Sequence, residues 1–258
     1  MKQRQVAALV AEALGVFTLV LVVLSVSRLG YPFFTAIAAG VTITLMVSAF
    51  IKISGGHFNP AITISRLAIK DVSALRAFGY IVAQVAAAFL AMKVYELLVD
   101  NKLVSSTGQF DWRVFLAEAL GAVVFGAAVA AVVTQKYEGY QAAYTVGTGL
   151  FLGLLVASLA SNAVLNPAVA VGLKMADVNY IFGPVVGSLV GFGLVAFVIN
   201  PIVSTVNSSS SVASKKEVKA EVSDAKTVKS AVVKKPAAKK VSKKPVAKKT
   251  TKKTAVKK

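Results

Sequence analysis

Six stretches of the chain stay apolar for the thickness of a bilayer core: 6–26, 32–51, 78–98, 114–133, 142–159 and 180–203. A helix needs about 20 such residues to cross the hydrocarbon, so each stretch predicts a transmembrane helix. Two shorter apolar pieces, 54–69 and 160–175, cannot span, and each holds an Asn-Pro-Ala triplet. In "HFNPAITIS" the triplet is Asn59, Pro60 and Ala61; in "VLNPAVAVG" it is Asn166, Pro167 and Ala168. Asn at a helix cap followed by Pro at the first turn is a helix-start signal. Short, Pro-marked segments in matching places predict re-entrant half-helices lining a binding or conduction site.

The pattern repeats. "LVAEALGVF" (9–17) and "FLAEALGAV" (115–123) share Ala-Glu-Ala-Leu-Gly, with Glu12 lying 47 residues before Asn59 and Glu118 lying 48 before Asn166. Each half, about 1–105 and 106–203, carries three spans and one half-helix in the same order. An odd number of spans inverts the second half in the membrane, which puts the shared site near the midplane. Two half-helices entering from opposite faces aim their positive ends at that site. Asn59 and Asn166 would cap them, each keeping a side-chain NH2 for the pore. Such a site donates hydrogen bonds to a neutral oxygen and repels cations. Glu12, Glu118 and Gln84 fall within apolar spans and must face the interior with partners. Their duplication favours carboxylates that hold the half-helix loops; proton coupling in a transporter is the alternative. The Gly183, Gly187, Gly191 and Gly149, Gly153 stripes read as close helix packing.

Charge and composition refine this picture. Hydrophobic residues make up 56% of the 258, above the 45–50% or so of soluble domains. There is no cysteine and a single histidine, His57. Thiol chemistry and multi-histidine metal sites are excluded, and no nucleophile–base pair indicates an enzyme. No cleavable leader is expected, because the first apolar run lacks the signal-peptide pattern. Placing the N-terminus in the cytoplasm puts seven basic residues of residues 1–203 inside and five outside. The tail, 204–258, adds 17 Lys against three acids. It therefore orients the chain with both termini in the cytoplasm of a multi-pass cell-membrane protein. This Lys/Ala/Pro/Val tail is expected to be disordered. Anionic lipid, nonspecific nucleic acid, or solvent alone are its open partners.

"ISGGHFNPAIT" (53–63), "YIVAQVAAAFLA" (80–91), "NPAVAVG" (166–172), "IFGPVVGSLVG" (181–191) and the two "AEALG" segments resemble the aquaporin, or major intrinsic protein, family over residues 5–203. The resemblance implies an all-α membrane fold of six tilted helices and two half-helices. It also implies one pore per subunit, a homotetramer, passive flow of water or small neutral solutes, and no cofactor or metal. His57 matches a loop histidine of many members. Val169 departs from the family, which mostly has Arg directly after the second triplet. Gapless spacing to the family pattern places the other filter positions on Ala39, Leu154 and Ala163. Ala170 stands where the glycerol-conducting branch usually has Asp. A filter of Ala39, Leu154, Ala163 and Val169 is small, apolar and uncharged. It favours a wide opening that passes solutes larger than water, with dewetting of an apolar neck as the competing consequence. An ion- or proton-coupled transporter built on inverted repeats is the second functional reading.

Overall fold

The computed structural model describes residues 2–204. Among the described residues, six helices are long and apolar enough to cross a membrane. They are α1 (Lys2–Ser27), α2 (Pro32–Ser54), α4 (Ala74–Val99), α5 (Trp112–Thr134), α6 (Gly139–Ala157) and α8 (Val178–Gly193). The last continues through a π-helical stretch, Leu194–Ile199, so that the whole span is Val178–Ser204. Two short helices, α3 (Pro60–Ala68) and α7 (Pro167–Gly172), start at the Asn-Pro-Ala triplets. No strand occurs among the described residues. Most of the basic tail lies outside the described residues.

Helix ends differ from the apolar runs by up to a turn. α1 and α4 begin four residues earlier than 6 and 78, at Lys2 and Ala74, because a helix continues into the polar interface where hydropathy has already fallen. α6 is shifted toward the amino terminus at both ends, running Gly139–Ala157 rather than 142–159. Within 55–69 and 160–175 only the stretches that start at Pro60 and Pro167 are helical. The preceding halves run as loops beneath buried carboxylates, which an apolar count does not register.

The repeat is visible in the packing. α1 packs on α2 and α4 as α5 packs on α6 and α8, while α2 meets α6 across the centre. Each half-helix crosses over: α3 lies against α8 and α7 against α4. The glycine stripes set these approaches. A Cβ at Gly187 or Gly191 would run into the α5 backbone at Ala119 or Val123, and one at Gly153 into the carbonyl of Gly121. Polarity is inside out. Val6, Val10, Leu14, Val41, Leu45 and Phe89 are exposed, whereas Glu12, Gln84 and Glu118 are fully buried. Lipid in place of water reverses the usual arrangement in this way.

One crossing departs from the repeat. On α4 and α7 the small Ala88 and Gly172 meet. On α8 and α3 their counterparts are Ser188 and Ser65. Ser65 Oγ donates to Ser188 Oγ (2.9 Å), whose proton reaches the Ala61 carbonyl (3.1 Å). An interhelical hydrogen bond of this kind contributes about 1 kcal/mol. Ser188→Ala is therefore expected to lower the melting temperature in detergent by a few degrees and leave conduction intact. An unchanged melting curve would show that this latch carries no stability.

Candidate functional site

The two caps interlock. Asn59 Oδ1 accepts from Ala61 N (2.8 Å), and Asn166 Oδ1 accepts from Ala168 N (3.0 Å) and Val169 N (3.4 Å). Each side chain thus satisfies the first free N–H groups of its own half-helix. Pro60 and Pro167 fix the first turn without leaving a donor unpaired. Each amide then reaches into the other half. Asn59 Nδ2 donates to the Leu165 carbonyl and Asn166 Nδ2 to the Phe58 carbonyl, both at 2.9 Å. One proton of each NH2 is spent on this lock. The other has no acceptor among the described residues, and both asparagines border a cavity of about 600 Å3.

The lock needs backbone that resists relaxation. Phe58 and Leu165 sit in the left-handed region, at φ 47° and 53°, as does Ala163 at 54°. For bulky residues this costs on the order of 1–3 kcal/mol each. Two carboxylates hold them there. Glu12 accepts from Ser54 Oγ (2.6 Å), His57 N (3.0 Å), Phe58 N (2.7 Å) and Gln84 Nε2 (2.8 Å). Glu118 accepts from Ser161 Oγ (2.6 Å), Val164 N (3.0 Å) and Leu165 N (2.7 Å). The two sets match residue for residue except at Gln84, whose place on α8 is taken by Pro184 in the aligned "YIVAQ" and "YIFGP" segments.

Gln84 Nε2 also reaches Thr63 Oγ1 (3.2 Å), while its Oε1 is buried without a partner. His57 is buried, pairs through Nδ1 with Thr63 Oγ1 (3.2 Å) and stands edge-on to Tyr80. Sequence reasoning missed the two tyrosines that pin the loops. Tyr80 donates to the Ser54 carbonyl (2.7 Å), and Tyr180 accepts from Asn162 Nδ2 (2.9 Å). Their shared position in the α4 and α8 repeats was the available signal.

Ala39, Leu154, Ala163 and Val169 all line the 600 Å3 cavity. They come from α2, α6, the loop before α7, and α7. The cavity runs from the loop residues Tyr31, Leu103 and Ser158 down to the asparagine pair, and His57 is its only lining side chain among Asp, Glu, Lys, Arg and His. The segment after α4 is tied across its mouth. Lys174 Nζ bridges Glu96 (2.8 Å) and the Leu103 carbonyl (2.7 Å), and Gly108 N donates to Asp177 (2.9 Å). The arrangement is a lined passage ending on paired hydrogen-bond donors, with its buried carboxylates committed to loop donors.

Comparison with known proteins gives a consistent identification. The model of the family described as major intrinsic protein matches residues 1–198. A glycerol uptake facilitator protein-like 6 from Lactiplantibacillus plantarum is 34% identical over 63% of this chain and 80% of its own length. Nodulin-26 from Glycine max is 28% identical over 78% and 82%. The aquaglyceroporin structure from Plasmodium falciparum superposes with a TM-score of 0.66 at 18% identity, covering 78% of this chain and 99% of its own, which shows the shared fold. Members of this family are passive membrane channels for water and small solutes, not enzymes, so the coupled-transporter reading gives way. The interlocked half-helices, the inverted repeat and these matches lead to one conclusion: this chain is a multi-pass membrane protein belonging to the major intrinsic protein family.

Proposed function

We propose that the chain is a channel for water and for small uncharged solutes of glycerol-like size, with Ala39, Leu154, Ala163 and Val169 forming its outer filter. The observation that carries this reading is Val169. It occupies the first turn of α7, borders the cavity, and leaves that wall without a fixed charge. Two alanines among the four positions favour a wide neck over a dewetted one. Asn59 and Asn166, on the positive ends of α3 and α7, supply donors to a passing oxygen and disfavour cations. Glu12, Glu118, Gln84 and His57 are structural in this reading: the two carboxylates accept from the loops, Gln84 Nε2 braces Glu12 and Thr63, and His57 pairs with Thr63. The names of a glycerol uptake facilitator and an aquaglyceroporin among the similar proteins agree with such a cargo.

The test is a panel of uncharged solutes in reconstituted vesicles. Urea and glycerol are expected to enter well above the protein-free rate, and a hexitol is not. Water passage with exclusion of both urea and glycerol would refute the wide filter.

We further propose a homotetramer in the cell membrane with cytoplasmic termini, residues 1–203 being the channel and 204–258 a basic tail. The tail follows a membrane span and carries 17 Lys without aromatic residues after 204. Its nearest polyanion is the anionic leaflet, worth about 1 kcal/mol per Lys at the surface. Chains truncated after residue 203 are expected to keep full glycerol and water flux. The separate tail peptide is expected to bind phosphatidylserine vesicles in low salt and release in high salt. Retention on nucleic acid but not on such vesicles would reverse the assignment, and loss of flux on truncation would place the tail in the conduction machinery.

A further inference from the structure

Beyond the asparagine pair, the same helices open onto a second cavity of about 320 Å3 at the amino-terminal face of the bundle. One helical turn separates the walls: Ile43, Phe125 and Leu150 border the first cavity, and Val47, Val129 and Val146 the second. The cavities therefore follow one another along α2, α5 and α6. Their chemistry is opposite. No Asp, Glu, Lys or Arg lines the first, whereas Arg66, Asp71, Lys136 and Glu138 line the second.

Arg66 is the least exposed member of that group, its side chain 12% exposed. It lies seven residues after Asn59, as Leu173 lies seven after Asn166. These repeat counterparts line the two cavities, one charged and one apolar. The guanidinium is fixed. Nη1 donates to the Gly55 carbonyl (2.7 Å), while Nε and Nη2 converge on Asp71 Oδ2 (2.7 and 2.6 Å). One N–H on each Nη remains without an acceptor among the described residues. A Cβ on Gly55 would lie 3.2 Å from both Nη atoms and 3.4 Å from His57 Nε2, so guanidinium, loop backbone and imidazole crowd one point; Gly55 itself sits at φ 94°. Asp71 balances the charge, which leaves Arg66 as a rigid donor rather than a net positive barrier.

We infer that Arg66 is a specificity-determining residue at the amino-terminal mouth. Its free N–H groups meet the oxygens of an uncharged solute, and its bulk sets the narrow polar point that the outer filter lacks. This inference rests on the channel reading above.

The absence of cysteine makes the test direct, because Arg66→Cys introduces the only thiol of the chain. Water and glycerol permeability are measured in the same proteoliposomes for the full-length wild type, Arg66→Leu, Arg66→Lys and Arg66→Cys. Arg66→Leu and Arg66→Cys are expected to raise the glycerol-to-water ratio about threefold or more. Aminoethyl methanethiosulfonate, which rebuilds a cationic side chain on the thiol, is expected to bring the ratio of Arg66→Cys back down. Arg66→Lys, which keeps the charge and loses the fork, is expected to fall between. A ratio unchanged by the substitutions and the reagent overturns the inference. So does a parallel loss of both permeabilities, which marks a loop staple and no more. Should Arg66→Leu fail to fold, Arg66→Cys before and after the reagent, or Arg66→Lys, decides alone. A wild type that conducts neither water nor glycerol would instead refute the channel reading.

Discussion

Val169→Arg is expected to reduce glycerol entry about tenfold or more while water continues to pass. Val169 is 3% exposed and borders the outer cavity together with Ala39 and Leu154. An arginine from the same Cα extends several bonds further into that space. Its guanidinium would bring donors and a charge to a wall that now has neither. Water, small and able to trade hydrogen bonds, can file past such a group. A three-carbon polyol must clear it along its whole length. The change is expected to be tolerated because Val169 borders the cavity. Stopped-flow light scattering on wild-type and variant vesicles measures both rates. Equal glycerol rates in the two would show that the neck lies elsewhere.

The largest structural effects are expected at the two buried carboxylates, Glu118 and Glu12. Truncation of Glu118 to Ala leaves Val164 N and Leu165 N without their acceptor, while Ser161 Oγ keeps only the Ala157 carbonyl (3.0 Å). Each buried, unsatisfied donor costs about 1–3 kcal/mol, and whole domains are stable by only about 5–15 kcal/mol. The damage also spreads. Leu165 loses the bond that holds its left-handed backbone, and its carbonyl is the acceptor for Asn59 Nδ2. Releasing one loop therefore loosens the other half's cap as well. Glu118→Ala is expected to yield little folded protein. Glu118→Gln, which keeps one oxygen and turns an NH2 toward donors, is expected to fold with a clearly lower melting temperature. Glu12→Ala is expected to be at least as severe, because Glu12 holds four donors. Size-exclusion profiles and thermal unfolding in detergent report both effects. Wild-type stability in Glu118→Ala would contradict a structural role for the carboxylate.

Fold and site were legible to different depths. Length and hydropathy carry the six spans, since a lipid-facing helix is apolar over nearly all its length. Asn-Pro-Ala carries the half-helix starts, because capping is a local event settled within three residues. The repeated Glu is a clear mark because a charge within a span demands a partner. The family resemblance singled out Ala39, Leu154, Ala163 and Val169, and all four border one cavity, while their role as a filter stands as a proposal. The crossing bonds were beyond reach. Asn59 and Leu165 are 106 residues apart, and nothing local encodes which carbonyl an amide will meet. The left-handed backbone at Phe58 and Leu165 was hidden too, since neither is Gly or Asn. Arg66 read as one more cytoplasmic charge. Only the fold shows it turned back against Gly55 beside a cavity.

The most direct test is one stopped-flow trace of wild-type vesicles mixed into a hyperosmotic glycerol solution. Water leaves first and the vesicles shrink; glycerol then enters and they swell again. A wide, uncharged neck requires both phases to run faster than in protein-free vesicles. Fast shrinkage followed by reswelling at the protein-free rate would mean that Val169 leaves the pore no wider than a water file.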